Sequence, residues 1–550
     1  MLHSNLHIID YLIIIIFLLA PIAVSLKFSK RQKNTKNYFT ANGSAPSWAI
    51  GLSILATLIS SITFLAYPGE GFASNWILLV QGLMVPLTLM FFIGFIVPLY
   101  RNAIHLSAYE YFEQRFGFGA RLYSSLGFFL AHFSKMGTVF YLLALAISKM
   151  IGANTIELIW ITGFVVIFIT LIGGMEAIIW MDVIQGILLI AGGLISLGVI
   201  LFTTPGGISA IWEVAKTNGK IGFGPFDLDF ARLTFWVMVL NGIFYAIQKY
   251  GTDQTMVQRY LTAKSDKKAI KASWIGVLLS VPVWALFMFI GTALYAFYHI
   301  KTGGLPANIK PDGVFPYFIM TQLPVGIVGL VLSALFAAAI SSLDADLNCL
   351  SAICVGDYYK RFKKNCTEKQ CMLFSRLVVL LAGLTSVAIA TYYVKNQGTK
   401  GALETVFALY AIFSGGIAGL FLLGIFSKRA NKQGAYIGIF ACILFTAYAI
   451  LTSTKFNIGG YEHKILDLGR FNFSQHKYMI GVYSHLILFI VGYLASFLFK
   501  RPQNITHLTY YGWDKKGKEQ KKTYSTLTVS HTDPEEKPIK EKRYEKEHAN

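Results

Sequence analysis

A succession of apolar runs, each about as long as a bilayer is thick, constrains this chain more than any other feature. A helix crossing the hydrocarbon core needs about 20 mostly apolar residues. Thirteen stretches approach that length, at roughly 8–28, 46–67, 76–99, 121–150, 157–173, 177–202, 232–252, 270–298, 325–355, 372–394, 402–427, 433–452 and 478–498. Charged residues make up only 14% of the 550, against 55% apolar, and mean hydropathy is +0.55. A soluble domain carries about 25% charged residues. The chain therefore cannot be a soluble enzyme, a disordered protein or a secreted disulfide scaffold. Inside lipid every backbone polar group needs an internal partner. The expected fold class is an all-α polytopic membrane protein with about 13 transmembrane helices.

The net charge of +20 orients such a protein rather than recruiting nucleic acid. Met1–Asp10 contains no Lys or Arg, whereas Lys27, Lys30, Arg31, Lys33 and Lys36 follow the first apolar run. A signal peptide has the opposite polarity, so the run reads as a retained helix with its N-terminus outside. Alternate loops agree. One set holds Arg101 and Arg115, then Arg259, Lys264, Lys267, Lys268 and Lys271, then Lys360, Arg361, Lys363, Lys364 and Lys369, then Lys428, Arg429 and Lys432. Most of the intervening loops are poorer in such charges. These signs put the N-terminus outside and the C-terminus in the cytoplasm of a plasma membrane. Residues 1–500 read as one transmembrane domain. Residues 501–550 read as a charged cytoplasmic tail. Five cysteines without a CxxC pair predict neither a disulfide framework nor a zinc site.

Polar clusters inside apolar helices are costly and mark function. The second run carries Ser53, Thr57, Ser60, Ser61 and Thr63 before Tyr67-Pro68-Gly69. It reads either as a small-residue packing face or as an interrupted helix whose freed oxygens bind an ion or solute. The ninth run places Ser341 and Asp344 three residues apart, and Ser342 and Asp346 four apart. Such pairs share helix faces, and oxygen-only ligands suit a hard cation such as Na+. The competing reading for Asp346 is a helix end already in solvent. Gly173-Gly174 predicts a tight turn between two helices, followed by Asp182. That residue reads either as a surface carboxylate near the helix start, favoured by the helix dipole, or as an acid in an apolar segment that needs a cation, a Lys or a proton. The seventh run ends in Asn241-Gly242 through Gln248, Lys249 and Asp253. It reads as a helix end or as the symmetry partner of the second run. Two interrupted helices five spans apart mark an inverted-repeat transporter, with repeats at about 46–202 and 232–427.

Four words resemble the sodium:solute symporter family: Trp180-Met181-Asp182-Val183-Ile184-Gln185, Ala337 to Leu343, Gln254 to Tyr260, and Ser107-Ala108-Tyr109-Glu110-Tyr111. The resemblance runs from about residue 8 to 452. Shorter words, among them Ser60-Ser61-Ile62-Thr63-Phe64, are similar to the bacterial sodium/sialic acid symporters within it. The resemblance implies a LeuT-type 5+5 inverted repeat in a bacterial inner (plasma) membrane. It implies a Na+ site from the carbonyls of Ala56, Ile59 and Ala338 with Ser341 and Ser342. It implies a second cation site at Asp182 and Ser341, where this chain has Asp344 and Ala345 in place of hydroxyls. That exchange leaves tighter Na+ binding, a held proton or a lost site open. For the solute, Ser60 and Thr63 match carboxylate-contacting positions. Lys135 stands where the sialic acid members place an Arg, and Gln81 precedes Gly82, which occupies the expected Gln position. Ser61, Asn241 and Gln248 complete the candidate set.

The expected function is Na+-coupled import of a small organic solute, with sialic acid (N-acetylneuraminate) or a related sugar as first choice. A neutral sugar, another small organic anion and a transporter-like solute sensor are the alternatives. A sensor needs an attached signalling domain, for which the tail is too short. An enzyme needs a nucleophile–base pair or a metal cluster. The nearest candidate, His132, reads as a packed or pore-lining residue.

Overall fold

Apolar runs rich in Leu, Ile, Phe and Val become helices here because only that form closes their backbone hydrogen bonds without water. The computed structural model describes residues 6–104, 106–301, 304–306, 308–395, 415–453, 455–458, 461–464 and 466–512. Its first eight helices are α1 (Ile8–Ser29), α2 (Thr35–Thr40), α3 (Ser47–Leu58), α4 (Ser61–Ala73), α5 (Leu79–Ala103), α6 (Glu110–Phe116), α7 (Phe118–Ile151) and α8 (Thr155–Thr203). There follow α9 (Gly207–Thr217), α10 (Phe235–Gly251), α11 (Gln254–Leu261), α12 (Asp266–Ile300), α13 (Pro311–Gln322) and α14 (Ile327–Ile353). The last are α15 (Glu368–Lys395), α16 (Ile417–Phe426), α17 (Lys432–Ser453) and α18 (Lys477–Ala495).

Among the described residues nine helices are long and apolar enough to cross a membrane, and the pair α3/α4 adds a tenth. At 49 residues α8 is about 74 Å long, enough for two crossings. It breaks at Gly174, where φ is +61°. A Cβ there would lie 2.7 Å from Gln32 Oε1, so both conformation and space demand glycine. The Gly-Gly turn is thus where the sequence places it. Of the stretch expected at 402–427, residues 402–414 lie outside the described residues.

The second span is interrupted. Ile59 and Ser60 are extended, and α3 and α4 meet at a bend of 57°. Ser60 stops α3 and starts α4, its side chain accepting a hydrogen bond from Ile62 N at 3.2 Å. α12 packs against both halves and holds the broken helix through glycine contacts. A Cβ on Gly291 would come within 2.1 Å of Pro68 O, and one on Gly71 within 2.2 Å of Met288 O. Small residues permit such backbone approach in membranes.

The seventh span is interrupted too, at Thr252-Asp253, the far end of the polar stretch that starts at Asn241-Gly242. Gly242 serves packing instead: a Cβ on it would lie 2.8 Å from Met84 Cβ on α5. Asp253 caps α11, accepting from Thr255 N at 2.8 Å.

α14 is the hub. Every residue from Val331 to Ile353 is buried, and it packs on α1, α3, α7, α8 and α15. At its end the helix passes through a π turn, Cys354–Tyr359, before it stops at Phe362. The loop between α17 and α18 contains a two-stranded antiparallel hairpin, Lys455–Ile458 with Tyr461–Lys464. The expected tail does not begin free at 501. Tyr111 OH donates to Leu508 O at 3.1 Å, and Leu508 is buried. Residues 513–550 lie outside the described residues.

Candidate functional site

Ending α3 at Leu58 strands carbonyl oxygens, because the last turn of a helix has no amide beyond it to accept from. Ile59 N donates to Leu55 O at 3.0 Å. Ser341 Oγ, across the gap on α14, donates to Ala56 O at 3.1 Å and lies 3.2 Å from Ala338 O. One hydroxyl therefore joins three of the five expected sodium residues. Ile59 lies fully buried in the extended link. Ser342 Oγ is fully buried and has no hydrogen-bond partner among the described residues. An unmade buried hydrogen bond costs about 1–3 kcal/mol, so this oxygen suits a guest that seeks oxygen. Neutral carbonyl and hydroxyl oxygens fit a hard monovalent cation such as Na+. Among the described residues there is no cluster of three His, Cys, Asp or Glu that could hold a metal.

Beside this cage lies a buried ionic corner. Asp182 Oδ2 accepts from Ser53 Oγ at 2.5 Å and from Arg259 Nη2 at 2.9 Å. Arg259 Nε donates to Ser53 Oγ at 2.8 Å, and Nη1 to Thr255 O at 2.9 Å. Arg259, read from sequence as an inside-loop charge, is fully buried. It is the cation that Asp182 requires. Asp344 is also fully buried, no side chain among the described residues hydrogen-bonds to it, and it lies within electrostatic reach of Asp182 and Arg259. Asp182 Oδ1 is likewise unpartnered there. Two carboxyls share one guanidinium here, so either a second cation or a proton on one carboxyl balances the corner.

The solute candidates fall into two groups. Asn241 Nδ2 donates to Gln81 Oε1 at 2.8 Å, tying α10 to α5. Ser61 Oγ lies 3.4 Å from Val139 O on α7, and Thr63 is buried one turn into α4. Lys135 belongs to a different assembly. Its Nζ is 3.0 Å from Asp346 Oδ2, and Asp346 Oδ1 is 2.9 Å from His132 Nδ1. His132 Nε2 is 3.2 Å from Asp253 Oδ2, which also takes Lys249 Nζ at 2.8 Å. Gln248 lines a small cavity of about 230 Å³ beside His132 and Asp253. Asp346 is therefore not a solvated helix end: α14 continues past it and Lys135 pairs it. His132, without an evident partner in sequence, lies between two carboxylates. The signals were present as spacings: His132 with Lys135 at i,i+3 and Lys249 with Asp253 at i,i+4.

Three of the four sequence words meet around α11. Gln254 Oε1 accepts from Ala108 N at 2.7 Å and its Nε2 donates to Leu106 O at 2.8 Å, joining α11 to the Ser107–Tyr111 corner. Arg259 joins α11 to Asp182. Below them Glu113 takes Arg121 and Arg361, each at 2.6 Å. Burial opposes ionisation of Glu113, yet those two guanidinium groups hold its carboxyl below the ordinary value.

Two interrupted spans five helices apart, with a cage of buried neutral oxygens at one interruption, define an ion-coupled secondary transporter. The sequence profile of the Sodium:solute symporter family matches residues 38–442. The chain belongs to that family, and Na+ is its coupling ion. It is 32% identical to the sodium/sialic acid symporter NanT of Aliivibrio fischeri over 90% of this chain and 94% of the relative. It is 34% identical to the sodium/sialic acid symporter SiaT of Proteus mirabilis over 79% and 88%. A solved substrate-bound, outward-open structure of a Na+-coupled sialic acid symporter superposes with a TM-score of 0.81, at 32% identity over 90% of this chain and 98% of that one. The fold is accordingly the LeuT-type inverted repeat.

Proposed function

We propose that the chain imports a sialic acid or a closely related acidic sugar, driven by Na+ held on Ala56, Ile59, Ala338, Ser341 and Ser342. The observation that carries the ion site is the Ser341 hydroxyl reaching Ala56 O across the break in the second span, with Ser342 Oγ buried and unpartnered beside it. The relatives named as sodium/sialic acid symporters support the solute class. Ser60, Ser61, Thr63, Gln81 and Asn241 face the solute, and Lys135 and Gln248 stand at its inner side. Asp182, Ser341 and Asp344 take a second cation, which neutralises the excess carboxylate.

External Na+ binds between α3 and α14 and orders the link at Ile59-Ser60. The ordered link completes the solute site. The loaded bundle then opens inward and Na+ leaves into the low-sodium cytoplasm. Entry of one charge down about 100 mV contributes about 2.3 kcal/mol. A tenfold sodium gradient adds about 1.4 kcal/mol. The N-terminus lies outside and the C-terminus in the cytoplasm of a bacterial inner membrane, with repeats at about 46–202 and 232–427. The solute crosses chemically unchanged.

One observation favours a second reading. The Lys135 ammonium already pairs with Asp346 at 3.0 Å, so a neutral sugar, which has no acid group to place on Lys135, would not have to displace that carboxylate. Counterflow in proteoliposomes against a panel of sialic acids, hexoses and small acids, with and without Na+, decides between them. Sialic acid accumulation that requires Na+ is the expected result. Equal accumulation in K+ would reject the ion site.

A further inference from the structure

Leu373, Arg376, Leu377 and Leu380 recur on α15 at i, i+3, i+4 and i+7, which is one helical face. That face is exposed: the three leucines are 70%, 48% and 39% accessible, in a span that lipid must cover. With Leu171 and Ile172 of α8 it forms a groove of about 860 Å³. Ser29, at the end of α1, closes one side. The groove is apolar except for that hydroxyl and one cation. Arg376 lies about two turns, or 12 Å, inside the start of α15. Among the described residues it has neither a hydrogen bond nor an ion pair. Side chains on a helix lean toward its N-terminus, which here carries the guanidinium back toward the membrane surface. An unpaired cation in hydrocarbon needs an anion. The exposed Lys27, Lys30 and Lys369 near the same ends of α1 and α15 add to the positive field.

We propose that this groove binds one anionic phospholipid of the cytoplasmic leaflet, its headgroup phosphate on Arg376 and an acyl chain along Leu377 and Leu380. The leaflet rests on the orientation proposed above; the binding does not. Native mass spectrometry of the full-length protein in detergent, with dioleoylphosphatidylglycerol, dioleoylphosphatidylcholine or free glycerol phosphate, tests it. The wild type retains one phosphatidylglycerol in preference to phosphatidylcholine. Arg376→Gln lowers that retention about fivefold, whereas Arg376→Lys keeps most of it. Equal retention by wild type and R376Q, equal retention of the two lipids, or displacement by glycerol phosphate would each overturn the proposal. Labelling of Lys30→Cys from one side of the membrane reads the orientation separately, so a failed topology is distinguishable from a failed lipid site.

Discussion

At the residue scale the ion cage and the charged chain behind it make opposite demands on a side chain. Ser342 contributes one otherwise unused oxygen. Ser342→Ala should leave expression and folding intact and abolish uptake at ordinary sodium. Losing one bond to a charged partner is worth about 1.5–3 kcal/mol, so the Na+ concentration for half-maximal uptake rises roughly ten- to a hundredfold. Unchanged sodium dependence would remove Ser342 from the cage. Lys135, by contrast, holds a buried neighbour. Lys135→Ala leaves buried Asp346 with His132 alone and should destabilise the protein by up to about 3 kcal/mol. The pair Lys135→Met with Asp346→Asn should recover thermal stability in detergent without recovering uptake of an acidic solute. Recovery of both would make Lys135 purely structural.

At the scale of elements, the breaks govern. Gly174 holds φ +61° against Gln32 and Tyr38. Gly174→Ala should lower stability by about 1–3 kcal/mol from the backbone alone, read as a drop in the melting temperature, and Gln32→Ala should not restore it. The second break bears on coupling. If Asp344 balances a second cation, Asp344→Asn should reduce the Na+:solute ratio, measured from reversal potentials, from two to one. A ratio unaltered by that change would remove Asp344 from the coupling. The Gly-Gly turn and the Ser60 interruption were legible because their backbone needs are local: a glycine with positive φ and a capping hydroxyl. The seventh break falls inside the polar stretch read as that run's end, but its exact place was not legible, because a glycine that admits a neighbouring helix looks the same in sequence as one that ends its own. Only the crossing of α5 at Met84 separates the two cases.

At the scale of the whole molecule, apolar run length carried the architecture, since bilayer thickness sets it independently of packing. Beyond the local spacings of His132 with Lys135 and of Lys249 with Asp253, the ionic corners were not legible, because their other pairs join residues far apart in the chain. Arg259 reaches Asp182, and His132 reaches both Asp253 and Asp346. A basic residue between two apolar runs counts as loop charge until the helix that swallows it is seen. The docked segment after α18 has a practical consequence. Because Tyr111 grips the chain at Leu508 and the same tyrosine packs on Phe421, a fluorescent reporter fused after Gly512 should leave melting and uptake at wild-type values. Trimming the protein back to Arg501 should instead strip a plug from the underside of α6 and lower the melting temperature.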